Sequence, residues 1–138
     1  DLGKIIETEI KSFKPTTIFT HSNSDVHCDH KTTFQACLQA TRPVNKLTKV
    51  NYFFSFEILS SSEWKFEKCF EPNFFIDISQ EINFKKKAIK KYDSELRKFP
   101  HPRSEGGIKT LAKYRGMQAN FNFAEAFKLI RGFEKSNL

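Results

Sequence analysis

Thr16-Thr17-Ile18-Phe19-Thr20-His21-Ser22-Asn23-Ser24-Asp25-Val26-His27-Cys28-Asp29-His30 passes from a β-branched and aromatic run into a loop of small polar residues. The reading of this passage decides the fold. Residues 16–20 have the composition of a short buried strand. Residues 21–28 are rich in Ser, Asn and Asp, the material of a loop. Asp29 is placed to cap a helix in which Phe34, Cys37, Leu38 and Thr41 share a face, and Pro43 closes it. Upstream, Leu2, Ile5, Ile6, Ile10 and Phe13 recur at helical spacing with Lys and Glu between them, and Pro15 stops that helix. Helix, strand, polar loop and helix form the unit of an open α/β sheet, where functional loops sit at the carboxyl ends of strands. Strand 16–20 is expected to be central, with chemistry in the loop that follows it.

Outward from there, residues 50–59 hold the aromatic run Tyr52-Phe53-Phe54-Ser55-Phe56 and read as a second strand, and residues 74–78 as a third. Ser79 is placed to cap a long helix to about Lys98, with Ile82, Ile89, Tyr92 and Leu96 as its buried stripe, until Pro100-His101-Pro102 breaks it. Ser104 starts another helix through Ile108, Leu111 and Ala112, with Gly116 as its expected C-cap. Residues 121–133 mix aromatic and charged side chains and suit a last strand or a short helix. The opening helix demands a sheet, yet one strand precedes the next helix. A doubly wound sheet wants more strands before residue 1, so a preceding segment is expected.

A chain of 138 residues with 38% hydrophobic and 14% aromatic content is long enough for one domain with a real core, expected over residues 1–138, and is not a disordered chain. No run approaches the roughly 18 apolar residues of a membrane helix, and residues 1–20 lack the apolar core of a secretory signal. The net charge of +7 raises nucleic acid as a partner. The densest basic run, Lys85-Lys86-Lys87 with Lys90-Lys91, lies in a helical pattern and reads as a solvated face, and the aromatics sit inside strand-like runs rather than among the lysines. No nucleic-acid partner is therefore expected. Cys28, Cys37 and Cys69 are odd in number and lack Cys-x-x-Cys spacing, which suits reduced thiols and a cytoplasmic location.

Three of the four histidines, His21, His27 and His30, fall within ten residues together with Asp25 and Asp29. Imidazole and carboxylate are ligands that zinc and iron accept. His27 and His30 are three apart, so one turn at a helix start aims both into one cleft, and Asp29 stands beside them to hold an imidazole N–H.

His27-Cys28-Asp29-His30 resembles the His-x-Asp-His motif of the PIG-L/LmbE-like zinc-dependent N-acetylglucosaminyl deacetylases, which also follows a strand and precedes an amphipathic helix. The resemblance extends through Phe56-Glu57-Ile58, Ser61-Ser62-Glu63-Trp64, Phe70-Glu71-Pro72-Asn73-Phe74, Phe99-Pro100-His101-Pro102-Arg103-Ser104, Arg115-Gly116 and Ala124-Glu125-Ala126-Phe127. It implies a Rossmann-like (LmbE-like) α/β open sheet flanked by helices, with one zinc at the carboxyl edge. It also implies hydrolysis of an N-acetyl group on an N-acetylglucosamine-type sugar. By the same resemblance His30 is a zinc ligand, His27 stabilises the oxyanion and Asp29 orients His27. Asp25, two before His27, is positioned to line the sugar pocket, and Glu125 either closes that pocket or pairs with Arg115. The family's His-Pro-Asp-Asp motif, which supplies the other zinc ligands and the general base, does not occur in these residues. The resemblance thus implies the carboxy-terminal part of such a domain, with the remaining ligands upstream of residue 1 or on another subunit. The alternative is an inactive binding or structural domain of the same fold.

Overall fold

The computed structural model describes residues 1–44 and 50–136. The chain forms two compact units, one of residues 1–71 and 128–138 and the other of residues 72–127. The first holds helix α1 (Leu2–Phe13), strand β1 (Thr17–His21), helix α2 (Cys28–Ala40), strand β2 (Tyr52–Phe56) and a single 3₁₀ turn (Ser62–Trp64). The second holds strand β3 (Phe74–Asp77), helix α3 (Ile82–Lys90) and helix α4 (Glu105–Ala119). Strand β4 (Ala124–Gly132) begins in the second unit and ends in the first. The strand order is β1-β2-β4-β3. β1 and β2 are parallel, in the register Thr17↔Tyr52 to His21↔Phe56, while β3 and β4 are antiparallel.

In the first unit the alternation of the strands decides what is buried. Phe53, with no exposed surface, packs with Phe34 and Cys37 of α2, and Ile6, Ile18 and Ile130 close around them. Ile10, Ala40 and Val50 make an adjoining cluster. The opposite face carries Phe19 and Phe54, stacked with centroids 5.2 Å apart. α1 uses less of its apolar stripe than its spacing suggests: Ile6 and Ile10 enter the core, whereas Ile5 and Phe13 are exposed. β1 lies at the edge of the four-stranded sheet rather than at its centre. The expectation of a central strand followed from the βα pattern, which fixes parallel pairing but not the number of neighbours.

In the second unit α3 is nine residues long, well short of Lys98. Its expected cap, Ser79, is engaged elsewhere. The Ser79 hydroxyl and backbone N–H both donate to Asp77 Oδ1, and the Phe123 N–H donates to the Ser79 oxygen at 3.2 Å. Ile78, Ile82 and Ala112 form this unit's core with Phe123. The lysine-rich helix finds acidic partners: Lys85 with Glu125 at 2.7 Å, and Lys86 and Lys90 with Glu105 at 2.7 and 3.0 Å. The two ammonium groups hold the Glu105 carboxyl down to about 2.

α4 runs through Gly116 to Ala119 and ends at Asn120, whose φ of 59° supplies the left-handed cap. Gly116 is glycine for another reason. The chain returns across the helix so closely that a Cβ there would stand 2.6 Å from the Phe121 carbonyl oxygen. Gly116→Ala is expected to cost about 1–3 kcal/mol, as overpacking against an unyielding neighbour does. Urea unfolding followed by helical circular dichroism measures it, and a change within about 0.5 kcal/mol, which is what a benign surface substitution gives, would contradict the close approach.

Candidate functional site

The loop between β1 and α2 is organised around one carboxylate. Asp25 has no exposed surface. Its Oδ1 accepts the His27 backbone N–H at 2.9 Å and the Ser61 hydroxyl, and its Oδ2 accepts the Ser62 hydroxyl at 3.0 Å. His30 Nδ1 stands 3.1 Å from Oδ2, an ion-pair distance, but its N–H direction lies off the line of a hydrogen bond. Burial pushes the Asp25 carboxyl up. The Ser61 hydroxyl, the His27 backbone, His30 and Ser62 more than offset this, and the group rests below its ordinary value.

Each partner is itself held. Ser62 Oγ also accepts the Ile58 N–H at 2.7 Å. The Glu63 carboxylate collects the N–H groups of Ser60 and Ser61 at 2.6 and 3.0 Å, which steadies Ser60 in its left-handed conformation with φ 68°. On the loop side, the Asp25 N–H donates to the Ser22 carbonyl at 3.2 Å, and Gln35 Nε2 of α2 donates to Asn23 Oδ1 at 3.0 Å.

Three imidazoles stack beside this carboxylate. The His21 ring lies 4.2 Å from that of His30, at 11° between planes, and the His27 ring lies 4.6 Å from His30 on the other side. His21 also leans on Phe56. Burial lowers the His21 pKa, and the neighbouring His30 and His27 add to that against the opposing pull of Asp25, so His21 is neutral near pH 7. His21 Nδ1 and His30 Nδ1 are buried without a hydrogen-bond partner among the described residues.

The sequence-predicted residues are thus brought together, in arrangements that differ in detail from the expectation. His27, not Asp29, caps α2: His27 Nδ1 accepts the Asp29 backbone N–H at 3.3 Å. The Asp29 carboxylate is 3.8 Å from the same nitrogen and 85% exposed, so the backbone of Asp29 holds His27 more directly than its side chain does. A ring nitrogen that accepts is deprotonated, which leaves the proton of neutral His27 on Nε2. Asp25 turns its oxygens to the chain's own groups. Glu125, in the second unit, pairs with Lys85.

Sequence reasoning gave no role to Ser61 and Ser62. The Ser-Ser-Glu run, in which a carboxylate follows two hydroxyls in a non-helical stretch, was the available signal for them.

Among the described residues one group of three ligand types converges within 4.8 Å, His27, Cys28 and Asp29, and all three are exposed. His30 fits a metal better. A buried carboxylate stands 3.1 Å from its Nδ1, and its other ring nitrogen carries no hydrogen bond among the described residues, so that nitrogen is available to a metal. Imidazole nitrogen is a donor that zinc accepts, and a catalytic zinc site takes roughly three such ligands from protein.

No protein-family model and no curated protein matches the sequence. Solved structures do match. A conserved protein of Thermus thermophilus superposes with a TM-score of 0.75 at 17% identity over 99% of this chain and 61% of its own. The 4-carboxy-2-hydroxymuconate hydratase GalB of Pseudomonas putida gives 0.71 at 19% identity, covering 99% of this chain and 60% of that one. An N,N'-diacetylchitobiose deacetylase of Pyrococcus horikoshii gives 0.71 at 17% identity, covering 95% and 51%. The chain shares their fold. The LmbE-like α/β fold expected from the sequence is the one observed, and the chain spans 51–61% of the length of these three proteins. Among the described residues no helix is long and apolar enough to cross a membrane.

Replacing Asp25 with Ala is expected to cost about 3–5 kcal/mol, because it strands two hydroxyls, one N–H and an imidazole that were built around a buried charge. Asp25→Asn, which keeps one acceptor, should cost about half as much. Since the folded carboxyl lies below its ordinary 3.8, its contribution is present above that pH and is lost as pH falls below it. Thermal unfolding of the two variants and the parent from strongly acid to neutral pH checks both statements: the gap between parent and variants should narrow on the acid side.

Proposed function

We propose that the chain forms part of a zinc-dependent hydrolase that removes an acetyl group from an N-acetylated amino sugar. The observation that carries this reading is the Asp25–His30 pair: a buried carboxylate 3.1 Å from one nitrogen of an imidazole whose other nitrogen is unengaged among the described residues. His30 then holds the metal, and Asp25 keeps that ring oriented and electron-rich. Zinc, when bound, lowers the pKa of a water toward about 7 and polarises the amide carbonyl.

The chain's own residues supply the rest of the site. His27 is half-exposed and fixed through Nδ1 to the start of α2, so its Nε2–H is the donor available to the oxyanion that forms as water adds to the acetyl carbon. Collapse of that intermediate breaks the C–N bond, the proton given up by the attacking water passes to the leaving nitrogen, and acetate and the free amine result. Asp25 has no surface with which to meet a sugar and acts through His30 and the loop as a positioning residue. Similarity to the Pyrococcus deacetylase supports the choice of reaction. The Pseudomonas hydratase shows that the same fold also serves a reaction in which water is added, so substrate identity rests on the site and not on the fold.

The test uses the full polypeptide in which these residues occur, supplied with zinc and assayed for acetate release from N-acetylglucosamine and N,N'-diacetylchitobiose. His30→Ala should abolish both zinc retention and turnover. His27→Ala should keep the metal and slow turnover by about a hundred-fold or more, as loss of an oxyanion donor does. If His27→Ala empties the site while His30→Ala leaves it filled, the two roles are reversed. If neither variant alters metal content or rate, the hydrolase reading fails and a binding domain of this fold takes its place. Residues 1–138 alone are expected to bind zinc weakly, because they contribute one assigned ligand of about three.

A further inference from the structure

The first unit contains a cavity of about 310 Å³ that none of His21, Asp25, His27 or His30 lines. It is lined by the Ser22-Asn23-Ser24 turn, by Ser55 of β2 and by Lys128 of β4. Phe34 and Phe70 supply apolar lining, and Lys68 lines it as well. Ser55 shares the α2-facing side of β2 with Phe53, whereas Phe56, on which His21 leans, points to the other face. The cavity and the histidine stack are therefore two places.

Its chemistry favours an anion. Lys68 and Lys128 both line it against a single carboxylate, Glu71, and neither lysine has an ion-pair partner among the described residues. The lysines of α3 differ, since Lys85, Lys86 and Lys90 each reach a glutamate. Ser22 and Ser55, two of the hydroxyl-bearing lining residues, are buried, 5% and 1% exposed. Two unpaired ammonium groups, several hydroxyls and two phenyl walls suit a small phosphorylated, hydroxyl-rich molecule, and the volume is at the lower end for a ligand pocket.

We propose that this cavity is a binding site for a phosphate monoester of sugar size, separate from the histidine site. The two are mechanically linked, because the carbonyl of Ser22, a lining residue, accepts the Asp25 N–H at 3.2 Å. A ligand seated on the turn thus braces the residue that orders the histidines. The proposal stands without the deacetylase reading, since none of its residues belongs to that chemistry.

Glucose 6-phosphate, inorganic phosphate and glucose are titrated separately into the ¹⁵N-labelled chain while amide resonances are followed. Both phosphates should shift Ser22, Ser24 and Ser55 saturably, glucose 6-phosphate at the lower concentration, and glucose should leave them in place. Lys128→Met and Lys68→Met should each weaken binding by about tenfold or more, the share of one charge-assisted contact, while Lys128→Arg keeps it within about threefold. His30→Ala, which touches the cavity only through Asp25, should still bind both phosphates, within about threefold of the parent. Absence of saturable shifts, equal shifts with glucose, methionine variants that bind like the parent, or loss of binding in His30→Ala would each overturn the proposal.

Discussion

A carboxylate without access to water sets the terms for the first unit. Asp25 is ionised where burial alone would neutralise it, because hydroxyls, a backbone N–H and an imidazole converge on it from two distant stretches of chain. Removing any partner leaves charge or hydrogen-bonding capacity stranded, so the arrangement is held by mutual need and not by any single bond. The loop after β1, the turn at Ser61–Ser62 and the first turn of α2 are all fixed relative to this one group. That rigidity allows three imidazoles to stack face to face at the sheet's carboxyl edge.

The fold class was legible because it depends on periodicity. The strand at 16–20 and the helix after it follow from alternation and helical spacing and occur within a residue or two of where those signals put them, and the strand expected over 50–59 is formed by its aromatic run at 52–56. What failed were the ends of elements, where local chemistry has several uses for the same residue. Ser79 carries a cap's side chain but spends it on Asp77 and Phe123. Gly116 carries a C-cap's freedom but is there to let the chain pass. His27 lacks the usual cap side chain, yet its ring nitrogen does that work.

The site was half legible. A cluster of His and Asp after a strand marks the place, since few loops gather such ligands without a use. The division of labour inside the cluster was not readable. Whether Asp25 or Asp29 is the buried one depends on Ser61 and Ser62, more than thirty residues away, and no local pattern ties those serines to this loop. The exposed Asp29 and the enclosed Asp25 are the same side chain in opposite surroundings, and surroundings are a property of the fold.

The parallel pairing of β1 with β2 also has a temporal side. A parallel pair cannot begin from a tight hairpin, and here the register Thr17↔Tyr52 has to wait for the crossover through α2 to close. The contacts of Asp25 with Ser61 and Ser62 span 36 and 37 positions, so they belong to the same closure. Until the sheet has found its register, Asp25 is an ordinary solvated side chain and the histidines have nothing to stack around. Order at the histidines is therefore a late product of folding, and its appearance marks a correctly aligned sheet.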